Sequence, residues 1–494
     1  MDRRQFLRGS GAVLGAALWG GVADKVLALG GTEILARQPW AKGFDGVEQD
    51  LPLLEMTCSG DWPRSLEGNL YRNGPARFSR QGFHYRHWFD GDGMVQQFRI
   101  QQGGIRHQGR FVRTHKFQAE QAAGRFLYNA AGTAVPGALP VRNNDDANVA
   151  NTALLPRNGE LLALWEAGSP YRLDGDSLET LGVKSFGDKF KGLPFSAHPL
   201  VDGVGGLWNF GCWYVGGDKD LLLYHIAPDD SVAAMEVINL PQAGYIHAFA
   251  QSQTKLLFYV SSCVYEEGDT YVGSFRWRPE LGAKLLVIDK ADLSRQQWRD
   301  LPPGFVFHFG QALESEGELL LQLSLYSDSA ILTRGMQALL TGQVREQSPD
   351  AEWATIRVGL DGSGKLQGEP AITRSGIHME FPQFEASATP TRLETVFGIG
   401  ASDHSASGLS DTLYAMGGNG ERKQCYLGPD RILEEPLYLP ATPERAAMVL
   451  MTWLDYRQGR TGLSLFSAAD ISRGPIAEAS MDRVLPLGFH GCFA

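Results

Sequence analysis

The chain has 494 residues, of which 43% are hydrophobic and 20% are charged, so a large core can form and a disordered protein is excluded. The formal net charge of −11, with no cluster of Lys or Arg in the body of the chain, argues against nucleic-acid binding, which needs a basic face. The five cysteines lie far apart without a CxxC pair and predict neither a zinc site nor a disulfide framework.

The N-terminus has the pattern of an export signal. Arg3 and Arg4 precede an uncharged, mildly apolar stretch at residues 9–23. This arrangement resembles a twin-arginine signal, and the stretch is too short and too Gly-rich to span a membrane stably. We expect residues 1–28 to be a signal peptide, residues 29–50 to be an N-terminal extension, and the mature protein to be periplasmic. The alternative is an amphipathic arm that stays attached.

From about Leu51 onward, short apolar runs alternate with Gly, Asn, Asp or Pro. Residues 69–75 predict a strand that ends in an Asn-Gly-Pro turn, and residues 88–94 predict a tight turn before another strand. The Asn-Gly pair at 158–159, followed by the apolar run at 161–165, is a strong hairpin signal. Strands this short, numerous and evenly spaced indicate an all-β protein.

The spacing of these strand clusters predicts a β-propeller. They recur about every 45 to 60 residues, roughly one four-stranded blade each, which favours a propeller over a sandwich. Two segments interrupt the rhythm: residues 118–132 are Ala-rich with helical spacing, and residues 327–353 are partly helical, most clearly at 331–340. We expect both to be insertions that form a cap on one face. No Pro- or Ser-rich linker divides residues 51–494, so one propeller domain is expected there.

Four of the 11 histidines lie in similar apolar surroundings, namely His198, His247, His308 and His490. The first three are 49 and 61 residues apart, which is about one blade. Because equivalent positions of the blades converge on the axis, these imidazoles are expected to form a four-nitrogen site there. Imidazole suits iron, copper, zinc and nickel, and no cysteine is placed to complete a closed zinc site. Open coordination positions fit Fe(II), although the spacing alone leaves the metal open.

The other histidines are expected to lie outside this site. For any single histidine, a hydrogen-bonded core side chain is the simpler interpretation. His225 belongs to a predicted core strand, and His378, two residues before Glu380, is the one other candidate ligand. Those that lie among polar residues, and are therefore predicted to be on the surface or in turns, are His84, His87, His107, His115 and His404.

Six motifs occur in a specific order along the chain. They are Tyr-Arg-Asn-Gly-Pro at 71–75, Phe-Asp-Gly-Asp-Gly-Met at 89–94, Leu-Ala-Leu-Trp-Glu at 162–166, Ser-Ala-His-Pro at 196–199, Phe-Val-Phe-His at 305–308 and Gly-Phe-His-Gly at 488–491. Together they resemble the carotenoid cleavage oxygenase family over about residues 51–494. One such motif is weakly specific, whereas six in this order are highly specific.

The resemblance implies a seven-bladed β-propeller with one non-haem Fe(II) on its axis. Its ligands would be His198, His247, His308 and His490, and the carboxylates that accept hydrogen bonds from the outer nitrogens of three of them would be Glu166, Glu380 and Glu435. A carboxylate in that position fixes the tautomer and orientation of the ligand. Glu434 competes with Glu435 for the third position, and we favour Glu435 because it directly precedes Pro436.

The sequence departs from the family pattern after two of the implied ligands. Ala248 follows the second histidine, where many relatives carry Asp. Phe309, Gly310 and Gln311 follow the third, where a polar pair is usual. Neither change removes a ligand, so we expect an effect on turnover rather than on metal binding.

The family divides into enzymes that cleave carotenoids or apocarotenoids and enzymes that cleave hydroxylated stilbenes. The stilbene cleavers resemble one another in a Lys before the first glutamate and a nearby Tyr, which bind and activate the phenol. Trp165 takes the Lys position here and cannot accept a proton, which favours a long apolar polyene. Candidate tunnel walls, each equally compatible with a place in the core, are Trp88, Trp165, Phe307, Phe309 and Phe381.

The resemblance therefore implies an Fe(II)-dependent dioxygenase that uses O2 to cleave one conjugated C=C bond of a carotenoid or apocarotenoid into two carbonyl products. No GxSxG, P-loop or HExxH motif indicates other chemistry. Stilbene cleavage and a non-catalytic exported propeller are the alternative functions. The expected partners are O2, an apolar polyene and, through a peripheral contact, a membrane.

Overall fold

The computed structural model describes residues 38–341, 350–386, 390–405 and 407–494. Within them, seven antiparallel sheets of four or five strands are arranged as the blades of a β-propeller. The predicted signal peptide, residues 1–28, lies outside the described residues. In the part of the chain that is described, no helix is both long enough and apolar enough to cross a membrane.

The blades are numbered here in chain order, and each strand pairs with the next one named. Blade 1 consists of Leu51–Glu55, Gly104–Phe111, Asp92–Gln101, Gly68–Arg77 and Gly491–Phe493. Blade 2 consists of Thr180–Val183, Tyr171–Leu173, Glu160–Leu164 and Ala153–Arg157. Blade 3 consists of Leu200–Val201, Leu207–Trp213, Asp220–Ile226 and Val232–Asn239, and blade 4 of Ala250–Gln251, Lys255–Val260, Ala283–Asp289 and Gln296–Leu301.

The remaining blades complete the ring. Blade 5 consists of Phe305–Ser315, Glu318–Tyr326, Glu352–Leu360 and Leu366–His378, and blade 6 of Glu380–Gln383, Val396–Gly400, Thr412–Met416 and Arg422–Tyr426. Blade 7 consists of Thr57–Gly60, Ala477–Met481, Arg460–Ser467, Met448–Asp455 and Arg431–Leu439. Two small hairpins pair Ser79–Arg80 with Phe83–His84 and Cys263–Tyr265 with Phe275–Trp277.

Both ends of the described chain close the ring. Leu51–Glu55 joins the outer edge of blade 1, and Thr57–Gly60 joins the outer edge of blade 7. The C-terminal strand Gly491–Phe493 joins the other edge of blade 1, where Leu70 pairs with Phe493. The closure places the residues just before this last strand on the propeller axis.

The core lies between neighbouring blades. For example, Leu257 and Val287 of blade 4 pack in one cluster with Leu321 and Ile356 of blade 5, and all four are almost completely buried. Burial of one such side chain contributes about 1.5–3 kcal/mol. Apart from Glu352 and Trp353, which begin a strand of blade 5, the described residues of the two predicted insertions lie outside these sheets.

The first insertion is helical only in its first half. The helix His115–Ala123 begins after Thr114, whose hydroxyl accepts the Phe117 N–H, and ends at Gly124, which has a φ of +67°. The prediction of helix through residue 132 is therefore wrong, because a left-handed glycine ends it. In the second insertion, the π-helical turn Ile331–Gly335 runs into the α-helix Met336–Thr341, close to the predicted 331–340.

The short 3-10 helices connect strands or precede them. They are Pro39–Phe44, Trp88–Asp90, Asn144–Ala147, Asp188–Phe190, Val215–Gly217, Val272–Ser274, Pro279–Leu281 and Ile471–Arg473. The hairpin predicted at 158–159 is confirmed, since Asn158 and Gly159 both have positive φ and join two paired strands. The turn predicted at 73–75 is wrong, because the strand Gly68–Arg77 continues through a bulge that accommodates Pro75.

Two histidines predicted to lie on the surface are buried. His107 alternates with Ile105 and Phe111 along its strand and faces the interior, where its Nε2 lies 2.8 Å from Gln96 Oε1. The ring of His87 lies 2.8 Å from the Leu332 carbonyl through Nε2. Polar neighbours are a poor guide to the burial of His107, because adjacent strand residues face opposite sides of the sheet. His87 is not on a strand but caps the 3-10 helix Trp88–Asp90, where its ring accepts the Phe89 N–H. His115, His378 and His404 are exposed, and His84 is half-buried.

Candidate metal centre and its cavity

Each blade places one residue of the predicted site near the axis. His308, Glu380 and Glu435 lie on strands, whereas the other residues of the site lie in the segments that join strands. In blade order, the residues are His490, Glu166, His198, His247, His308, Glu380 and Glu435. The order explains why residues up to 324 positions apart in the sequence come together. His308 and Glu380 are on adjacent blades, as are His490 and Glu435, whereas Glu166 and His247 are two blades apart.

The four histidines converge through their Nε2 atoms. His198 and His247 approach to 3.0 Å, His308 and His490 approach to 3.1 Å, and one ring nitrogen from each of the four lies within 4.8 Å of the others. Two nitrogens bound at right angles to one cation, each at about 2.1 Å, are about 3.0 Å apart. The spacing therefore fits the ligands of a single metal ion.

Hydrogen bonds on the outer nitrogens fix the tautomer of three of these rings. The Nδ1 atoms of His247, His308 and His490 lie 3.2, 2.6 and 2.9 Å from carboxylate oxygens of Glu166, Glu380 and Glu435. An ionised carboxylate only accepts hydrogen bonds, so each Nδ1 carries the proton and each Nε2 presents a lone pair. Lone pairs that face one another across about 3 Å repel, and a cation between them removes that repulsion.

The surroundings favour the neutral form of His198 and His490 and the charged form of Glu380. Burial, reinforced by the neighbouring imidazoles, holds the pKa of His198 well below its ordinary value. Burial also lowers the pKa of His490, although Glu435 acts in the opposite direction. Burial raises the pKa of Glu380, but its interactions with His308 outweigh this and leave the pKa lowered. Neutral imidazole is the form that binds a metal.

His198 differs from the other three histidines. It is half-buried, and none of the three glutamates lies at its Nδ1 in the part of the chain that the structure describes. Ser196, two residues earlier, is fully buried and bonds Asn209, which fixes the turn that carries the ring. The Ser196–Asn209 hydrogen bonds therefore fix the position of His198, whereas the carboxylates also set the tautomer of the other three rings.

Glu166 is held by two tyrosines that the sequence analysis missed. Tyr245 donates its hydroxyl to Glu166 Oε2 at 2.8 Å, and Tyr271 donates to Oε1 at 3.0 Å. Tyr245 lies two residues before His247, which is a local signal, whereas Tyr271 arrives from a loop 105 residues further on. Together they fix both oxygens of the carboxylate that orients His247.

Backbone strain lies next to Glu380. Phe381 has a φ of +53°, a conformation that an aromatic residue rarely adopts and that costs on the order of 1–3 kcal/mol. Its N–H donates to the Glu380 carboxylate at 2.8 Å, and its ring packs against His308 and His490 with centroids 5.1 and 5.2 Å away. The strained turn directs the Glu380 carboxylate toward His308 and places the Phe381 ring against both His308 and His490.

A β-bulge brings two consecutive glutamates to the axis. The register of Arg431–Leu439 shifts between Leu433 and Pro436, and such bulges re-aim side chains. Glu435 reaches His490 and also accepts the Gly491 N–H at 2.8 Å. Glu434 accepts the Gly488 N–H at 2.6 Å. The structure thus places Glu435 at the hydrogen bond to His490, whereas Glu434 bonds Gly488.

An apolar cavity opens beside the histidines. Its space, counting the mouth to solvent, is about 1420 Å³. His247, His308 and His490 form part of its wall, and both insertions border it through Ala131 and Met336. The predicted cap therefore covers the face of the propeller on which the histidines are accessible.

Comparison with known proteins assigns the family. The sequence model of the retinal pigment epithelial membrane protein family matches residues 45–494. The chain belongs to this family. This agrees with the resemblance to carotenoid cleavage oxygenases seen in the motifs.

Two curated relatives represent different substrates. Apocarotenoid-15,15'-oxygenase of Synechocystis is 26% identical over 490 residues, covering 92% of this chain and 96% of the relative. Resveratrol cleavage oxygenase 1 of Aspergillus fumigatus is 32% identical over 286 residues, covering 56% of each. A solved structure of a Glu150Gln variant of the Synechocystis apocarotenoid oxygenase has a TM-score of 0.80 at 22% identity, covering 92% of this chain and 98% of that one. That structure supports the same fold.

Four of the five predicted wall residues of this family member line the cavity, namely Trp88, Trp165, Phe307 and Phe381. Phe309 does not. It packs between blades 4 and 5 against residues such as Leu257 and Leu323. The register of its strand shifts between Val306 and Phe309, so Phe309 does not share the cavity face with Phe307, as simple alternation would predict.

Proposed function

We propose that this family member is an Fe(II)-dependent dioxygenase that cleaves one conjugated C=C bond of a carotenoid or apocarotenoid. The alkene and O2 together become two carbonyl groups, one at each carbon of the broken bond. The observation that carries the proposal is the set of four histidines whose ring nitrogens lie within 4.8 Å of one another, three of which line an apolar cavity. Bound iron would supply the activation of O2, which amino-acid side chains do not provide.

The residues of this chain hold the metal and place the substrate. His198, His247, His308 and His490 would be the ligands, and no carboxylate needs to enter the coordination sphere because Glu166, Glu380 and Glu435 are already engaged by imidazole N–H groups. Aromatic walls exclude water and orient a flat polyene beside the ligands. No further acid or base is required, since the overall reaction moves no proton.

The polyene is favoured over a stilbene by the cavity wall beside Glu166. Trp165 lies there, and an indole can neither accept a proton from a phenol nor offer a cation. One relative that aligns over most of both chains is an apocarotenoid oxygenase. The resveratrol-cleaving relative, similar over about half of the chain, makes a hydroxylated stilbene the second candidate substrate.

Product analysis tests the proposal. The iron-loaded protein is incubated under ¹⁸O₂ with a series of carotenoids and apocarotenals and, separately, with resveratrol, and the products are identified by mass. We expect two carbonyl products from a polyene, with ¹⁸O incorporated. Cleavage of resveratrol alone would replace the proposed substrate. Absence of cleavage by protein that holds iron would favour a non-catalytic propeller.

We also propose export by the twin-arginine route, which the paired arginines at the N-terminus support. The change of Arg3 and Arg4 to Lys in the full chain should retain the protein in the cytoplasm, as measured by cell fractionation and by the mass of the N-terminus. Equal export of the variant would contradict this route. A peripheral membrane contact stays a prediction, to be tested by flotation of the protein with vesicles.

A further inference from the structure

One carboxylate in the cavity wall has no part in holding a histidine. Of the four glutamates that line the cavity, Glu166, Glu380 and Glu435 each accept a hydrogen bond from an imidazole N–H. Glu434 does not. Its Oε1 accepts the Gly488 N–H at 2.6 Å, and no hydrogen bond reaches its Oε2 from the residues that the structure describes.

Glu434 reaches the cavity from between buried neighbours. Leu433 and Glu435 on either side of it are buried, whereas Glu434 itself is half-exposed where it borders the cavity. Nearby cavity walls are apolar, since Ile432, Leu409 and Leu487 belong to one hydrophobic cluster. A carboxylate oxygen at the edge of an apolar wall is stabilised by a hydrogen-bond donor from the group that fills the cavity.

Support of the Gly488 loop does not by itself require a carboxylate. A neutral amide oxygen accepts a backbone N–H equally well in geometry, so Gln would serve. A carboxylate keeps a second, acceptor-only oxygen that an amide lacks. The bulge that brings Glu434 to the cavity beside Glu435 therefore provides an acceptor that the metal centre does not use.

We infer that Glu434 accepts a hydrogen bond from a hydroxyl group of the substrate and so determines specificity for hydroxyl-bearing alkenes. The inference rests on the proposed function, which it deepens by naming the substrate class.

Glu434 bonds the segment that carries His490. Gly488, which donates its N–H to Glu434, lies two residues before His490, so the Cα atoms of Gly488 and His490 are at most about 7 Å apart. A hydroxyl bound by Glu434 therefore lies in the same cavity whose wall His490 forms. A ring hydroxyl of a carotenoid end group and a phenol both supply this chemistry, and the experiment separates them.

Equilibrium binding measured anaerobically by quenching of tryptophan fluorescence tests the inference independently of turnover. Two ligand pairs are used: a β-ionone apocarotenal with its ring-hydroxylated counterpart, and trans-stilbene with its para-hydroxy derivative. We expect the wild type to bind the hydroxylated member of one pair about tenfold more tightly, the effect of one charge-assisted hydrogen bond. The pair that shows the preference identifies the source of the hydroxyl.

Glu434→Gln keeps an acceptor for Gly488 and removes the charge. We expect its preference to fall to about twofold while the affinity for the unhydroxylated ligand is unchanged. Glu444→Gln, at an exposed position in the connection after the same strand, is the matched control and should keep the tenfold preference.

Two results would overturn the inference. The first is equal binding of both members of each pair by the wild type, which decides the matter even if the variant does not fold. The second is an undiminished preference in Glu434→Gln. Product formation is measured on the same samples with iron and O2. If the iron-loaded protein cleaves none of the four ligands, the proposed function is refuted. The ratio of binding constants within each pair still decides the role of Glu434.

Discussion

Glu435 and His490 lie 55 residues apart on adjacent blades and meet through a hydrogen bond of 2.9 Å between Oε1 and Nδ1. The fully buried Arg72 of blade 1 donates to the Glu435 backbone carbonyl at 2.7 Å and approaches its carboxylate at 3.4 Å. The seam at which the C-terminal strand closes the propeller therefore also orients a predicted metal ligand.

Loss of the Glu435 carboxylate should destabilise the whole fold. In Glu435→Ala, the buried guanidinium of Arg72 loses its counter-charge and the Gly491 N–H loses its acceptor, so we expect the free energy of unfolding to fall by about 3–5 kcal/mol. Chemical denaturation measures this. The free energy of unfolding of the double variant Arg72→Met/Glu435→Leu should fall by much less than the sum of the losses in Arg72→Met and in Glu435→Leu. Strict additivity of the two losses would contradict a coupled pair.

Glu380→Gln should weaken metal binding without unfolding the protein. The amide preserves volume but removes the charge that faces His308, and loss of such an outer partner typically costs 10–100-fold in metal affinity. A ferrous titration against a competing chelator under anaerobic conditions measures the effect, with Glu444→Gln as control. An unchanged affinity for Fe(II) would mean that the 2.6 Å hydrogen bond between His308 and Glu380 does not contribute to metal binding.

Trp165→Ala should raise KM for an apocarotenal about tenfold and change kcat less. Removal of about 60 Å² of aromatic contact is worth about 1.5 kcal/mol, which corresponds to that factor. Steady-state kinetics supply the two constants. Trp298→Ala, on the outermost strand of blade 4, is the matched control. An equal rise in KM in both variants would indicate a general structural effect rather than a wall of the cavity.

Acid should destabilise the protein through His107. Burial, aided by the charge of Arg483, lowers the pKa of this histidine to about 3 in the folded state, while the unfolded chain titrates near 6.5. The neutral ring is favoured by folding, so its contribution is complete above pH 6.5 and falls by about 1.4 kcal/mol per unit as the pH drops toward 3.

The variant His107→Gln isolates this contribution. Its free energy of unfolding should fall less steeply between pH 6.5 and pH 5, by a difference of about 2 kcal/mol over that interval. Denaturation curves at matched pH values provide the measurement. Parallel pH profiles for the two proteins would show that the ring titrates normally.

The sequence predicted the elements that carry local signals. Short strands between turn residues gave the all-β class, and apolar surroundings distinguished four histidines from the rest. The three glutamates are identified only through the resemblance, because the residues around a single glutamate do not indicate which distant histidine it contacts. His87 and His107 were assigned wrongly, since burial depends on which side of a sheet or loop a residue faces.

Other features depend on backbone irregularity that no pattern of residue types reveals. The bulge between Leu433 and Pro436 brings Glu434 to the cavity, and the register shift before Phe309 takes that ring away from it. Tyr271 reaches Glu166 from a loop of another blade. Such contacts are set by tertiary packing, which sequence spacing does not encode.

Anomalous diffraction at the iron edge, from crystals of the protein loaded with one equivalent of Fe(II), tests the central claim most directly. We predict one strong peak within bonding distance of Nε2 of His198, His247, His308 and His490, with no carboxylate oxygen at bonding distance. A peak elsewhere, or iron held by fewer than these four rings, would contradict the account.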